Sequence, residues 1–289
     1  MSMNAPETMG VIYRLQMSQL HPHPQNPFSI RDDQAMLDLI QSVQSHGVLV
    51  PAIARPRPDG EYEIIAGHRR KHASELAGLD FMPVVVLDLN DDEAIIQLVD
   101  SNIQRENILP SERAKAYKMR MDAMKRQGAR TDLTSPNISA KFRSDDELGQ
   151  EVGVSGDTIR NYASLTNLVP ELMQMVDEGR IKLSPAYQIA ALPHNEQSLL
   201  LDTIESEQAT PSLSQAQRMK RLSQNGELNE DVLLEIMMEQ KKPVRNDIIL
   251  SGEKLRKFFP KSYSPIQMEN VIFKLLEAWQ RKRQRDQSR

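Results

Sequence analysis

The 289 residues include no cysteine, so neither a disulfide nor a thiolate metal site can form. Aromatic residues make up 4% of the chain, with one Trp against 15 Met, so the cores must be aliphatic and methionine-filled. That favours helical packing over a large β-sandwich. No stretch approaches the roughly 18 apolar residues a membrane-spanning helix needs. Met1–Gly10 lacks a basic segment followed by an apolar run, so no secretory signal is expected and a cytoplasmic location is. His21, His23, His46 and His194 are scattered without the spacing of metal ligands. No internal repeat is visible.

What the chain does have is an uneven charge. The net value of −4 argues on its face against nucleic acid. Residues 1–110, however, carry 8 Lys or Arg against 15 Asp or Glu, whereas residues 241–289 carry 13 against 5. A basic end on an acidic body points to local phosphate contacts rather than a globally basic binder.

The N-terminal part alternates strand and helix patterns. Val11–Leu15 is a short apolar segment, and the proline-dense run His21–Pro27 excludes helix and central strand. Asp32 or Asp33 can cap a helix reaching about Ser45, with Ala35, Met36, Leu39, Ile40 and Val43 at helical spacing and Gly47 as its end. Val48–Ala54 and Tyr62–Ile65 read as strands joined by a turn at Pro58–Gly60. A helix follows Gly67 to Leu76, Met82–Leu89 is a third strand, and Asp91 or Asp92 caps a helix from Glu93 to about Asn102. Beyond Pro110 the pattern is helical: Ser111–Gln127, then Asp145–Val152, Gly156–Leu165, Pro170–Gly179, Ser184–Leu192, Asn195–Glu207 and Ser212–Gln224. Gly128–Phe142 reads as a loop and Ser223–Asn229 as linker. A last helix is predicted from Pro265 to Arg283, with Met268, Ile272, Leu275, Leu276 and Trp279 on one face. That face serves either as a dimer surface or as the core stripe of a small domain.

The segment Glu147–Tyr162 carries the strongest local chemistry. Gly149 offers a small residue where a second helix crosses the first, and Gly153 meets the positive φ of the turn. Val154 is expected as an apolar plug, Ser155 as a cap, and Ile159 and Tyr162 as the buried face. These features in register describe a helix-turn-helix. Its outer face then presents Ser155, Gly156, Asp157, Thr158, Arg160 and Asn161, of which Arg and Asn can make bidentate contacts to guanine and adenine edges. One such module seldom suffices for affinity, so a dimer on a two-fold site is expected. The Arg281–Arg285 run is either a phosphate contact or a solvated helix end.

A second basic cluster, Gly67–Ala73, opens a helix directly after a predicted strand. Helix-start amides, a glycine and two guanidiniums suit an anion. Ser101–Arg105 ends another helix about thirty residues on, and the two clusters together can hold a nucleotide triphosphate.

The combination of Gly67–Ala73, Ser101–Arg105, the helix-turn-helix running into Leu165–Leu172, and Val176–Tyr187 resembles the ParB family over roughly Val11 to Leu222. With the patterns above, an α+β ParB-like N-terminal domain (1–110) is expected to precede an all-α helix-turn-helix domain (111–222), a linker (223–244) and a small, mainly helical C-terminal segment (245–289). The resemblance implies CTP with Mg²⁺ at Gly67, Arg69, Arg70, Asn102, Gln104 and Arg105, a palindromic double-stranded DNA site, a homodimer closing as a sliding clamp, and a ParA-type ATPase as partner. The chain would then be associated with the nucleoid or a plasmid. Three residues depart from the family pattern: His68 and Ser101 replace its usual acidic residues, and Ser29 its usual Gln in the Asn-Pro-x-Gln segment. They imply that CTP hydrolysis is weak or absent.

A static, ParB-derived transcriptional regulator without a nucleotide switch is the alternative reading. A nuclease would need clustered carboxylates for metal. Asp88, Asp91, Asp92 and Glu93 form the one dense acidic group, and helix capping explains it better.

Overall fold

A computed structural model describes residues 11–105, 108–132, 144–239, 255–260 and 262–287. It divides into two units, Met1–Glu239 and Gln240–Arg289, each described by itself below.

The first unit begins with a sheet built from β1 (Ile12–Gln16), β2 (Leu20–Pro22), β3 (Ala52–Pro56), β4 (Tyr62–Ala66) and β5 (Phe81–Val86), in spatial order β1-β5-β3-β4-β2. The two outer pairings differ: β1 lies antiparallel to β5, and β2 parallel to β4. Pro22 is tolerated because β2 is an edge strand three residues long. Sequence reading saw only a loop there. The predicted strand Val48–Ala54 starts instead at Ala52, and Met82–Leu89 shortens to Phe81–Val86.

The helices α1 (Gln34–His46) and α2 (His68–Leu76) share a small core of Met36, Val43 and Ala73. Asp33 caps α1, accepting from the Met36 amide at 2.9 Å. The helix α3 (Asp91–Asp100) is capped by Asn90, not by Asp91 or Asp92 as expected, in a reciprocal capping box with Glu93. The acidic group is thereby largely accounted for: Asp91 pairs with Arg55 at 2.8 Å and buried Asp92 with Arg126 at 2.7 Å.

A long helix, α4 (Pro110–Asp132), follows, so Gly128–Asp132 is helical rather than loop. The rest of the predicted loop lies outside the described residues. Behind it come α5 (Ser144–Val152), α6 (Gly156–Ser164), α7 (Pro170–Asp177), α8 (Leu183–Ile189), α9 (His194–Glu207), α10 (Leu213–Gln224) and α11 (Glu230–Met238). The last of these corrects the linker expectation. Leu233, Ile236 and Met237 of α11 are buried in one core with Leu200, Ile204 and Met219 of α9 and α10.

A second core crosses the boundary expected at residue 110. Ile65 of β4, Leu98 and Val99 of α3, Ala116 and Tyr117 of α4, Leu148 of α5 and Ile159 of α6 form one buried cluster. Each fully buried aliphatic side chain there contributes about 1.5–3 kcal/mol. Sheet and helix-turn-helix are therefore held by shared packing. In the second unit, α12 (Pro265–Gln287) buries Met268 but exposes Leu275, Leu276 and Trp279. Among the described residues no helix is long and apolar enough to cross a membrane.

Candidate nucleic-acid and nucleotide interfaces

The turn between α5 and α6 is built as its glycines require. A Cβ on Gly149 would fall 2.6 Å from the Val154 carbonyl oxygen, a distance no larger residue can accept, and Gly153 has φ +78°. Ser155 caps α6 by accepting from the Thr158 amide at 3.2 Å. Ile159 is fully buried, and half-buried Tyr162 meets Tyr117 and Tyr187 edge-on at 5.8 and 5.9 Å. Two expectations fail. Val154 is 37% exposed and packs against none of the buried clusters, while Gly156 is buried beneath the Asp146 carboxylate and is not on the outer face. A Cβ at 156 would collide with that carboxylate, so Gly156 serves close packing.

Of the remaining outer-face residues, Ser155, Asp157 and Asn161 are exposed and Thr158 half-buried. Arg160 also projects from α6, but its guanidinium is engaged by Asp145 and Asp157.

The other site lies at the sheet edge of α2. Gly67, φ +107°, precedes α2 with its Cα so close to β3 that a Cβ would fall 2.8 Å from that of Ala52. This contact seats the start of α2 beside a cavity of about 340 Å³, lined by Ser29, Arg31, Asp33, Ala35, Arg69, Arg105, Ile108 and Glu112. Two of the predicted nucleotide residues, Arg69 and Arg105, are thus brought together. Burial and the neighbouring Arg69 both hold the Arg105 guanidinium below its ordinary range, against the pull of Glu112.

The other four do different things. Arg70 donates to the Val50 and Pro51 carbonyls at 2.5 Å each, bracing the loop before β3, and burial lowers its pKa. Asn102 is buried, donating to the Leu98 carbonyl at 2.9 Å. Gln104 is exposed, and Gly67 acts through its backbone. His68 is 7% exposed, with Nε2 unpartnered among the described residues. Burial first, then His23, Arg105 and Lys71, push its imidazole down to about 4.

Sequence reading missed Arg31 and Glu112 as pocket residues. No local motif signals them, because residues 31 and 112 lie far apart in the chain.

The cavity's three guanidiniums suit a triphosphate. Mg²⁺ fits less well. Asp33 is occupied as the cap of α1 and lies 3.4 Å from Arg69, and Glu112 is held by other donors, so neither carboxylate is free for a metal. Among the described residues no group of three or more acidic or imidazole side chains is placed to hold a metal ion.

An ion-pair network joins α4 to α3 and α5. Arg120, 3% exposed, reaches Asp100 at the end of α3 at 2.7 Å and also pairs with Glu151 of α5.

Comparison with known proteins matches residues 1–103 to the ParB N-terminal domain and residues 137–223 to the ParB HTH domain. The chromosome-partitioning protein Spo0J of Thermus thermophilus is 30% identical over 187 residues, covering 65% of this chain and 62% of that protein. The chain thus spans less than two thirds of that relative's length. Stage 0 sporulation protein J of Bacillus subtilis is 29% identical over 245 residues, covering 84% of this chain and 77% of that protein. Among solved structures, the C-terminally truncated chromosome-partitioning protein ParB from Caulobacter crescentus, complexed to the centromeric parS site, shares 25% identity with a TM-score of 0.45, over 74% of this chain and 99% of that one.

Proposed function

Because the chain belongs to the ParB family and carries both of its domains in order, we propose that it is a homodimeric, site-specific DNA-binding protein acting in chromosome, plasmid or integrative-element partition. The observation that carries this reading is the seating of α6. Ile159 locks it into the core shared with the sheet, so its outer face stands on a rigid base. Thr158 and Asn161 would contact base edges, with Ser155 at the phosphate backbone and Arg160 contributing once freed from its carboxylates.

The nucleotide reading is part of the same proposal. Arg69 and Arg105 would meet the phosphates of CTP, while Gly67, Arg70 and Asn102 shape the wall and Gln104 lies at the rim. Bound CTP would close the dimer as a clamp. A second copy of the chain is the expected cover for the exposed Leu275, Leu276 and Trp279 face of α12. A ParA-type ATPase would be the further partner, at the nucleoid or plasmid.

One feature favours the static regulator instead. His68, buried and held neutral, stands where the family usually supplies a carboxylate. The deciding experiment is calorimetry of CTP with the wild type, Arg105→Ala and Arg70→Ala, with and without DNA selected for tight binding. CTP uptake lost in Arg105→Ala, with CTP-dependent sliding off the selected site, supports the clamp. Specific DNA binding without CTP uptake under any condition supports the regulator. Hydrolysis is expected to be weak in the clamp and absent in the regulator.

A further inference from the structure

We propose that the Glu112 carboxylate occupies a phosphate subsite of the cavity and is the group a bound triphosphate displaces. The inference rests on the nucleotide reading above and concerns Glu112, which that reading leaves out.

Glu112 is 8% exposed although it lines a cavity, and the donors around it explain why. One carboxylate oxygen accepts from the Ser29 amide at 2.9 Å and the Ser29 hydroxyl at 2.5 Å. The other accepts from the Leu109 amide at 3.1 Å, with an Arg31 guanidinium nitrogen 3.9 Å away. Two backbone amides, a hydroxyl and a guanidinium converging on one anion make the donor set of a phosphate site. The contact to Leu109 alone would be an ordinary helix cap. The contacts to Ser29 are not, because they cross 83 residues and fix the Asn26–Ser29 segment to the start of α4.

Charge argues for displacement. Arg31, Arg69 and Arg105 face Asp33 and Glu112 in the same cavity, so its lining carries a net charge of only about +1. A triphosphate entering beside a fixed carboxylate would meet repulsion in a partly desolvated space. Withdrawing Glu112 removes that repulsion and hands over three hydrogen-bond donors already arranged around an anion, with the Arg31 guanidinium in ion-pair range. Asp33 does not play this part: it is needed as the cap of α1.

The test is calorimetric titration of the full chain with inorganic tripolyphosphate and, separately, CTP, using the wild type, Glu112→Gln and Arg31→Gln. Glutamine keeps the size and one acceptor of Glu112, and thermal melting checks that the variant folds. The expected result is binding of both ligands about tenfold tighter in Glu112→Gln and clearly weaker in Arg31→Gln. Equal or weaker binding in Glu112→Gln overturns the displacement, and unchanged binding in Arg31→Gln overturns the subsite. If no form binds CTP, the nucleotide reading fails. A gain in tripolyphosphate binding by Glu112→Gln would still uphold the subsite, and no gain would sink it too.

Discussion

Arg160, on the second helix of the helix-turn-helix, is ion-paired to Asp145 of the preceding helix, whose side chain is 7% exposed. The same guanidinium also holds Asp157, whose side chain is 79% exposed. Arg160 therefore has two duties. It neutralises a buried carboxylate, and it stands where a base-reading arginine is expected.

Arg160→Ala should show both duties. Leaving Asp145 buried and unpaired costs about 1–3 kcal/mol of stability, which lowers the melting temperature. Measured well below that temperature, affinity for a selected site should fall far more than affinity for random DNA. Asp145→Asn in the same background should recover most of the stability and none of the specificity. Equal losses on both DNAs would mean that α6 is not the reading helix.

Arg120 allows a sharper electrostatic test. It is buried, but Asp100 and Glu151 are about half exposed, at 42% and 51% of their side chains. Removing one partner leaves the other, so Asp100→Asn or Glu151→Gln alone should cost about 1 kcal/mol. Removing both strands a buried guanidinium and should cost about 3–5 kcal/mol. Denaturant unfolding of the two single variants and the double would show strong non-additivity. Additive losses would show that Arg120 finds water and that the α3–α4–α5 junction is held by packing alone.

Gly149→Ala tests the helix crossing. The added methyl would sit 2.6 Å from the Val154 carbonyl, and backbone cannot step aside as a side chain tip can. A loss of about 1–3 kcal/mol is expected, together with weaker DNA binding because Ser155 and α6 are re-aimed. Gly153→Ala should also destabilise, through its positive φ rather than a clash. A Gly149→Ala variant with wild-type melting and DNA affinity would refute the close-crossing account.

Much of this was legible in the sequence because it is written locally. The Asp33 cap and the spacing of Gly149, Gly153, Ser155 and Ile159 each depend on neighbours within a few residues. Other features were hidden for physical reasons. The strand β2 exists only through its pairing with β4, and its Pro22 signals the opposite. The helix α11 follows a Gly- and Asn-rich stretch that reads as linker, yet Leu233, Ile236 and Met237 give it a buried face. Pocket membership is the least local property of all. Arg70 looks like a phosphate ligand in its motif but is spent on two carbonyls, whereas Arg31 and Glu112 meet only in the fold.

Acid should weaken the fold through His68. Its ordinary pKa of 6.5 is pushed down to about 4 in the folded chain, first by burial. Between those values the unfolded chain holds a proton there and the folded chain does not. Stability attributable to this group is therefore complete above pH 6.5, falls as the pH drops through that value, and is lost by about pH 4. The shift corresponds to about 3 kcal/mol. His23 is displaced in the same direction, chiefly by its own burial, and adds to the slope. Thermal melting of the wild type and His68→Gln from pH 7.5 to 4.5 measures the contribution. The variant should start lower at pH 7.5, because glutamine fits the buried imidazole site imperfectly, and then lose less on acidification. Parallel curves for the two proteins would show that His68 protonates as readily in the fold as out of it, and that the space around its imidazole admits water.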